Sequence, residues 1–316
     1  MPSLHWGLLA AALACPAAAR TLEVGPGKEF DRPSAAARAA FDGDTVLIEP
    51  GEYYDCAAWS AANLTVAGRA PGVVLTDAVC QGKAVMVVTG ENITVRDLTL
   101  ARARSGDDNG AGVRLEAGSA TFERVRFTNN QAGLMALGLP GRIVLRDCTF
   151  EGGGVGGDRP TFAVNAGTAT ELEIAGSTFA ATAGGQVRSY AGETRLRGSS
   201  IAVNHPGAGV EASGRLLMED NAFRLTGDAE AAARATGPAV LRRNRLVNET
   251  GRPVALLVDW GSSSPVLDGN MVPPGDAVVS TAGAWRNEAS SLYYGAKDTV
   301  RGVAGAAKRG LREWLK

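Results

Sequence analysis

The sequence is short of several things that would point to familiar functions. Aromatic residues make up 6% of it, histidine occurs twice, cysteine four times, and neither sign of charge is in excess. Thirty-two Lys plus Arg stand against 33 Asp plus Glu, a formal charge of -1. No global field exists to draw in nucleic acid or an anionic membrane, so nucleic acid is not expected as a partner. Beyond the first 20 residues no apolar run approaches the ~18 residues that span a bilayer. His5 lies near the N-terminus and His205 precedes Pro206 in a turn-like stretch; neither accompanies a Ser or Cys nucleophile arrangement. The Gly152 to Gly157 stretch lacks the Lys-Ser and strand-to-helix context of a phosphate loop, and reads as a loop. What is present is 45% hydrophobic residues, enough for a packed core, and 41 glycines scattered at turn-like spacings.

Trp6 to Leu13 is a short apolar stretch followed by Cys15, Pro16 and Ala17 to Ala19, the pattern of a signal peptide cleaved after Ala19. Residues 1 to 5 carry no Lys or Arg, and lipidation at Cys15 is the alternative reading of this segment. The expected organisation is a signal peptide over 1–19, one domain over 20–283 and an amphipathic helix or cap over 284–316. The protein is expected to be exported, periplasmic or extracellular, where disulfides are permitted.

The chain repeats itself. Alternating apolar segments recur at Ile93–Leu100, Ala120–Phe127, Ile143–Phe150 and Leu172–Phe179, with further copies ending at Ile201, Phe223, Leu246 and Val272. Successive end points are 27, 23, 29, 22, 22, 23 and 26 residues apart. Units of this length with a period of two predict an all-β right-handed parallel β-helix, a solenoid of about nine coils. A leucine-rich consensus is missing, and a β-sandwich would show turns about every 8 to 12 residues.

Reading down the columns, Asn221, Asn244 and Asn270 share one position, with Ser199, Ser177 and Cys148 in the coils before. Asparagines stacked in this way predict an amide ladder along the axis, and Cys148 reads as a buried free thiol. Cys56 and Cys80 fall about one coil apart and are expected to form a disulfide. Pro33 to Phe41 predicts a short helical cap at the front. Residues 292–316 carry Val300, Val303, Ala304, Ala307, Leu311, Trp314 and Leu315 on one helical face and Lys297, Arg301, Lys308, Arg309, Arg312 and Lys316 on the other. That segment is read as a rear cap, or as a basic helix touching a membrane or partner.

Gly43-Asp-Thr-Val-Leu-Ile-Glu-Pro-Gly-Glu-Tyr53, Cys80-Gln-Gly-Lys83, Asn92-Ile-Thr-Val95, Asp108-Asn-Gly-Ala-Gly112 and Phe127-Thr-Asn-Asn130 closely resemble a secreted bacterial group of right-handed β-helix proteins in the pectin-lyase-like superfamily. The resemblance covers roughly residues 21 to 280 and implies the fold. It also implies a polysaccharide as partner, since members of the superfamily are mostly polysaccharide lyases, hydrolases and epimerases, although this group has no defined activity. Relatives are expected to carry His-x-Ile-Tyr-Val near Thr161–Ala166 and Gly-His-x-Ile-Lys-Ser-Arg-Ala near Gly184–Ala191. Here Thr161 and Gly185 occupy the histidine positions, Arg188 the lysine and Tyr190 the arginine.

One sheet is expected over 111–117, 132–137, 162–167, 186–191, 208–213, 232–236 and 254–260. Simple alternation turns Arg114, Met135, Val164, Arg188 and Glu211 outward, with Arg234 next. Arg188, Glu211 and Arg234 then form a ladder that would hold the carboxylates of an acidic polysaccharide. For β-elimination Arg188 is the expected proton acceptor, with Tyr190 beside it stacking on sugar or donating a proton, and Arg114 and Glu116 in the binding surface. The opposing reading is a plain surface salt-bridge ladder. The function expected is an exported β-helix that acts on or binds an extended, acidic polysaccharide by lyase-type chemistry; the alternative is an inactive carbohydrate-binding or envelope module. No cofactor is expected. Calcium is the only one the acidic residues suggest, and Glu116, Glu211 and Asp259 stand several coils apart. The Asp107-Asp108-Asn109 run is read as a solvated bend and not as a hydrolase carboxylate pair.

Overall fold

Segments that alternate apolar and polar residues every two dozen positions can bury their apolar sides only by stacking on one another. In the computed structural model, which describes residues 18–154, 161–180, 182, 184–261 and 264–281, they wind into a parallel β-solenoid with three faces. The front face holds the strands Ala57–Trp59, Ala84–Val88, 111–117, 132–137, Phe162–Ala166, Gly185–Ser189, Gly207–Ala212, Ala229–Ala235, Ala255–Asp259 and Ala277–Thr281. The side face begins with Thr21–Val24 and ends with Val266–Asp268, eleven strands in all, so the solenoid makes about eleven turns where the repeat pattern predicted about nine. The extra coils lie at the front, where the strands Thr21–Val24, Thr45–Ile48 and Thr65–Gly68 precede the first clear copy of the motif. The back face has nine strands, from Gly51–Tyr53 to Arg245–Asn248.

Corners are set by residues in the left-handed region. Between side and back faces each coil from the fourth onward spends one residue there, Asp97, Arg124, Asp147, Gly176, Gly198, Asp220, Arg243 and Gly269, all with φ between 50° and 61°. The next residue turns inward and forms the predicted column. Asn221 donates its amide to the Asn244 side-chain carbonyl at 2.9 Å, and Asn244 does the same to Asn270 at 3.0 Å. The same carbonyls accept the backbone N–H of the previous column member, and the Ser177 and Ser199 hydroxyls do this job higher up. The buried backbone donors of this corner are thereby satisfied from Cys148 to Asn244.

Inside, the back face contributes a stack of parallel rings, Phe127 on Phe150 at 4.5 Å and Phe150 on Phe179 at 4.7 Å between centroids. Gly112 and Gly133 on the front face leave room for this stack, since a Cβ at either would come within 2.9 or 2.7 Å of a ring. The helix Pro33–Ala39 lays Ala36 and Ala37 over the front end of the core, and Asp55 accepts the Ser34 N–H at its start. Cys56 and Cys80 form a disulfide across a separation of 24 residues with Cα atoms 5.4 Å apart, as their spacing predicts. Residues 1–17 of the expected signal peptide, and the expected rear helix over 284–316, lie outside the described residues.

Candidate functional site

Pairing registers on the front face put one outward position per coil in a single row: Val87, Arg114, Met135, Asn165, Arg188, Glu211, Arg234 and Val258. Simple alternation predicts Val164 in this row. Instead Asn165 stands there and Val164 is fully buried. The reason is a recurrent break in the ladder. Ala111 pairs with Ala132 and the next pair is Val113 with Leu134; Phe162 pairs with Gly185 and the next is Val164 with Val187. The second residue of each strand turns inward beside the third, so Ala163 and Val164 both face the core and the outward register moves on by one.

Arg188, Glu211 and Arg234 come together as predicted. The Arg188 Nε donates to Glu211 Oε2 at 3.0 Å, and Arg234 Nη1 donates to Glu211 Oε1 at 3.3 Å. Arg234 also reaches Glu230 at 3.5 Å. Each guanidinium rests on a ring that the sequence did not single out: Arg188 lies 3.9 Å from the centroid of Phe162, and Arg234 lies 4.7 Å from that of Trp260. Phe162 occupies the space above Gly185, where a Cβ would sit 2.2 Å from the ring. The position at which relatives are expected to carry histidine is therefore filled from the preceding coil.

Such ladders are not special to this face. On the side face Glu171 accepts from Arg142 at 3.2 Å and from Arg195 at 3.0 Å, and Arg215 lies 3.7 Å from Glu193. Charge alternating by coil is a general device of this solenoid, worth little per exposed pair. What sets the front face apart is different. Tyr190 is 54% exposed and Leu137 51% exposed. Ser213 and Thr236 follow Tyr190 down the next row, and Trp260 closes it. Arg114 has no ion-pair partner among the described residues, and the buried Arg114 Nε, Asn165 Oδ1, Arg234 Nε and Trp260 Nε1 have no hydrogen-bond partner.

The other predicted site residues are scattered. Arg114 stands three coils above Arg188, roughly 14 Å at the usual strand spacing. Glu116 is ion-paired with Lys83, which lies in the turn just after the disulfide-bonded Cys80. Glu116 and Glu211 are four coils apart and Asp259 two coils further, too far to converge on one ion. Asp107 accepts hydrogen bonds from the Ser105 hydroxyl at 2.6 Å and the Asn109 backbone, which hold its carboxyl below the usual range. That makes it the cap of a turn and not a proton donor. His205 sits in the corner before Gly207 with Nδ1 2.8 Å from the Pro206 carbonyl. A shallow cleft of about 620 Å³ between side and back faces is lined by Arg69, Asp97, Arg124 and Arg126, with Arg69 paired to Glu49, Arg124 to Asp97 and Arg126 to Glu151.

The sequence profile of the right-handed β-helix region matches residues 83–246, 164 of the 316 residues. The chain belongs to the right-handed β-helix family. No curated protein sequence matches it significantly. Among solved structures it is similar to the pectate lyase Pel9A, at 14% identity over 83% of this chain and 79% of that one, with a TM-score of 0.49. The pectin methylesterase PemA from Erwinia chrysanthemi matches at 13% identity over 79% and 92%, with a TM-score of 0.47. The A-module of the mannuronan C-5 epimerase AlgE4 from Azotobacter vinelandii matches at 14% identity over 78% and 93%, with a TM-score of 0.40.

Proposed function

We propose that this β-helix is an exported polysaccharide-binding protein whose ligand lies along the front face, parallel to the solenoid axis. The observation that carries this reading is the row beside the charge ladder. Tyr190, on the exposed side, offers a face for a sugar ring, and Ser213 and Thr236 lead down the row to the half-buried Trp260, whose ring carries Arg234. An extended polymer matches a surface whose side chains repeat every ~4.8 Å. Export is supported by the Cys56–Cys80 bridge, which calls for an oxidising compartment.

Binding is preferred to β-elimination because of what surrounds Arg188. Its guanidinium is held on one side by Glu211 and on the other by the Phe162 ring, and a charged guanidinium so engaged donates hydrogen bonds and has no lone pair with which to take a proton. Tyr190 then serves as a stacking surface and Arg114, Glu116, Glu211 and Arg234 as the polar frame of the binding face.

Incubating the purified protein with alginate, pectate and hyaluronan while following absorbance of unsaturated uronate ends tests both readings at once. The expected result is no product from any of the three, retention of the protein on immobilised glycan, and loss of that retention in Tyr190→Ala and Trp260→Ala. An unsaturated product that disappears in Arg188→Gln would overturn the binding reading in favour of the lyase.

A further inference from the structure

Among the described residues the front face carries four cations, Lys83, Arg114, Arg188 and Arg234, and most of them are already spoken for. Glu211 bridges Arg188 and Arg234, Glu230 adds to Arg234, and Glu116 holds Lys83. Three of these four cations therefore face three carboxylates, and only Arg114 has no ion-pair partner among the described residues. Its neighbours along the outward row are apolar. Val87 and Met135 occupy the coils above and below it in the outward row, and Ala84, Ala111 and Ala132 pack with them in a cluster separate from the core. A lone guanidinium set in an apolar patch, with a buried Nε that nothing satisfies, has an unmet demand for a planar anion, and the low local dielectric strengthens that demand.

We infer that Arg114 is the single anion-recognition point of an otherwise charge-compensated face, and that the ligand is a glycan carrying isolated anionic groups on a largely neutral backbone. This rests on the glycan-binding reading and narrows it. A polymer with a carboxylate on every sugar would set one in reach of Arg114 and drive the others against Glu116, Glu211 and Glu230. It would have to break existing ion pairs to reach Arg188 or Arg234, leaving a carboxylate desolvated without a partner. A neutral stretch meets no such cost. Its hydroxyls suit Ser213 and Thr236, and its ring faces suit the exposed Tyr190.

The test uses two polymer series in which backbone is constant and charge density varies: carboxymethylcellulose of graded substitution, and polygalacturonate of graded methyl-esterification. Affinity is measured by calorimetry for the full-length protein and for Arg114→Gln and Arg114→Lys, each first checked for an unchanged melting temperature. Affinity should peak at sparse substitution in at least one series. For that polymer Arg114→Gln should bind about fivefold to tenfold more weakly, and Arg114→Lys should recover part of the loss. Affinity that rises steadily with charge density in a series that binds would overturn the inference while leaving glycan binding intact. A peak that Arg114→Gln does not lower would also overturn it. No binding to any polymer, charged or neutral, would bring down the glycan-binding reading and this inference together.

Discussion

Asn221 and Asn244, 23 residues apart in the chain, are joined amide to carbonyl at 2.9 Å in the interior of the solenoid. Asn244 is fully buried, and its side chain serves four groups: the Asn221 amide, the Asn221 backbone N–H, the Met218 carbonyl and the Asn270 side-chain carbonyl. Asn244→Ala should cost about 2 to 3 kcal/mol, because it strands a buried donor and a buried acceptor at once. Asn244→Ser should cost less, since the Ser177 and Ser199 hydroxyls show that a short side chain at this corner still accepts the neighbouring backbone N–H. Urea unfolding of the two variants checks this; equal tolerance of Ala and Ser would mean the column is packing and not hydrogen bonding.

That ladder could be read from the sequence because its signal is carried by the residues themselves. Asparagine recurring at one column of successive repeats is the mark of an amide stack, and Cys56 with Cys80 had only to lie one coil apart. The disposition of the front face was less legible. The ladder Arg188–Glu211–Arg234 followed because Val187 and Val210 are the inward residues just before Arg188 and Glu211, whereas in Phe162–Ala166 both Ala163 and Val164 turn inward, and counting from Ala163 puts Val164 outward in place of Asn165. The extra inward residue is glycine in two neighbouring strands, Gly112 and Gly133, where a Cβ would meet the Phe127 or Phe150 ring. The contacts of Phe162 and Trp260 with arginines depend on rotamers, for which a single sequence holds no period.

Cys148 belongs to the same column as the asparagines, and burial pushes its thiol up to about 12. The thiolate is therefore scarce at pH 8, and the sulfur is reached by no solvent. A thiol reagent at that pH should find no difference between the native protein and Cys148→Ser, and one additional thiol in the unsubstituted protein once guanidinium is added. Reaction of Cys148 in the native state at a rate near that of a free thiol would place the corner open.

At the front of the solenoid Asp44 is buried and holds Arg20, accepting also the backbone N–H groups of Arg20 and Phe41. The Arg20 guanidinium is the largest influence and brings the Asp44 carboxyl down to about 2. A carboxyl lowered in the folded state stabilises fully above its unfolded value near 4 and loses that contribution as pH falls towards 2. The melting temperature should accordingly drop between pH 4 and pH 2, and Asp44→Asn should flatten that segment of the curve while lowering it at pH 6. Identical pH profiles for the two proteins would remove Asp44 from the acid transition.

Phe162 and Gly185 test whether the front face can be returned to the pattern its relatives are expected to carry. A Cβ at Gly185 would stand 2.2 Å from the Phe162 ring, which itself supports the Arg188 guanidinium at 3.9 Å. Gly185→Ala should thus cost about 1 to 3 kcal/mol by overpacking, and Gly185→His should cost more. Phe162→Ala alone should also destabilise, through the lost ring and the unsupported guanidinium. Combined, Phe162→Ala with Gly185→Ala should be milder than the sum of the two, because each opens the space the other needs; such coupling between touching residues is read from a double-mutant cycle. Additive losses would show that the ring moves aside without cost, and that the missing histidine has a cause other than the space Phe162 fills.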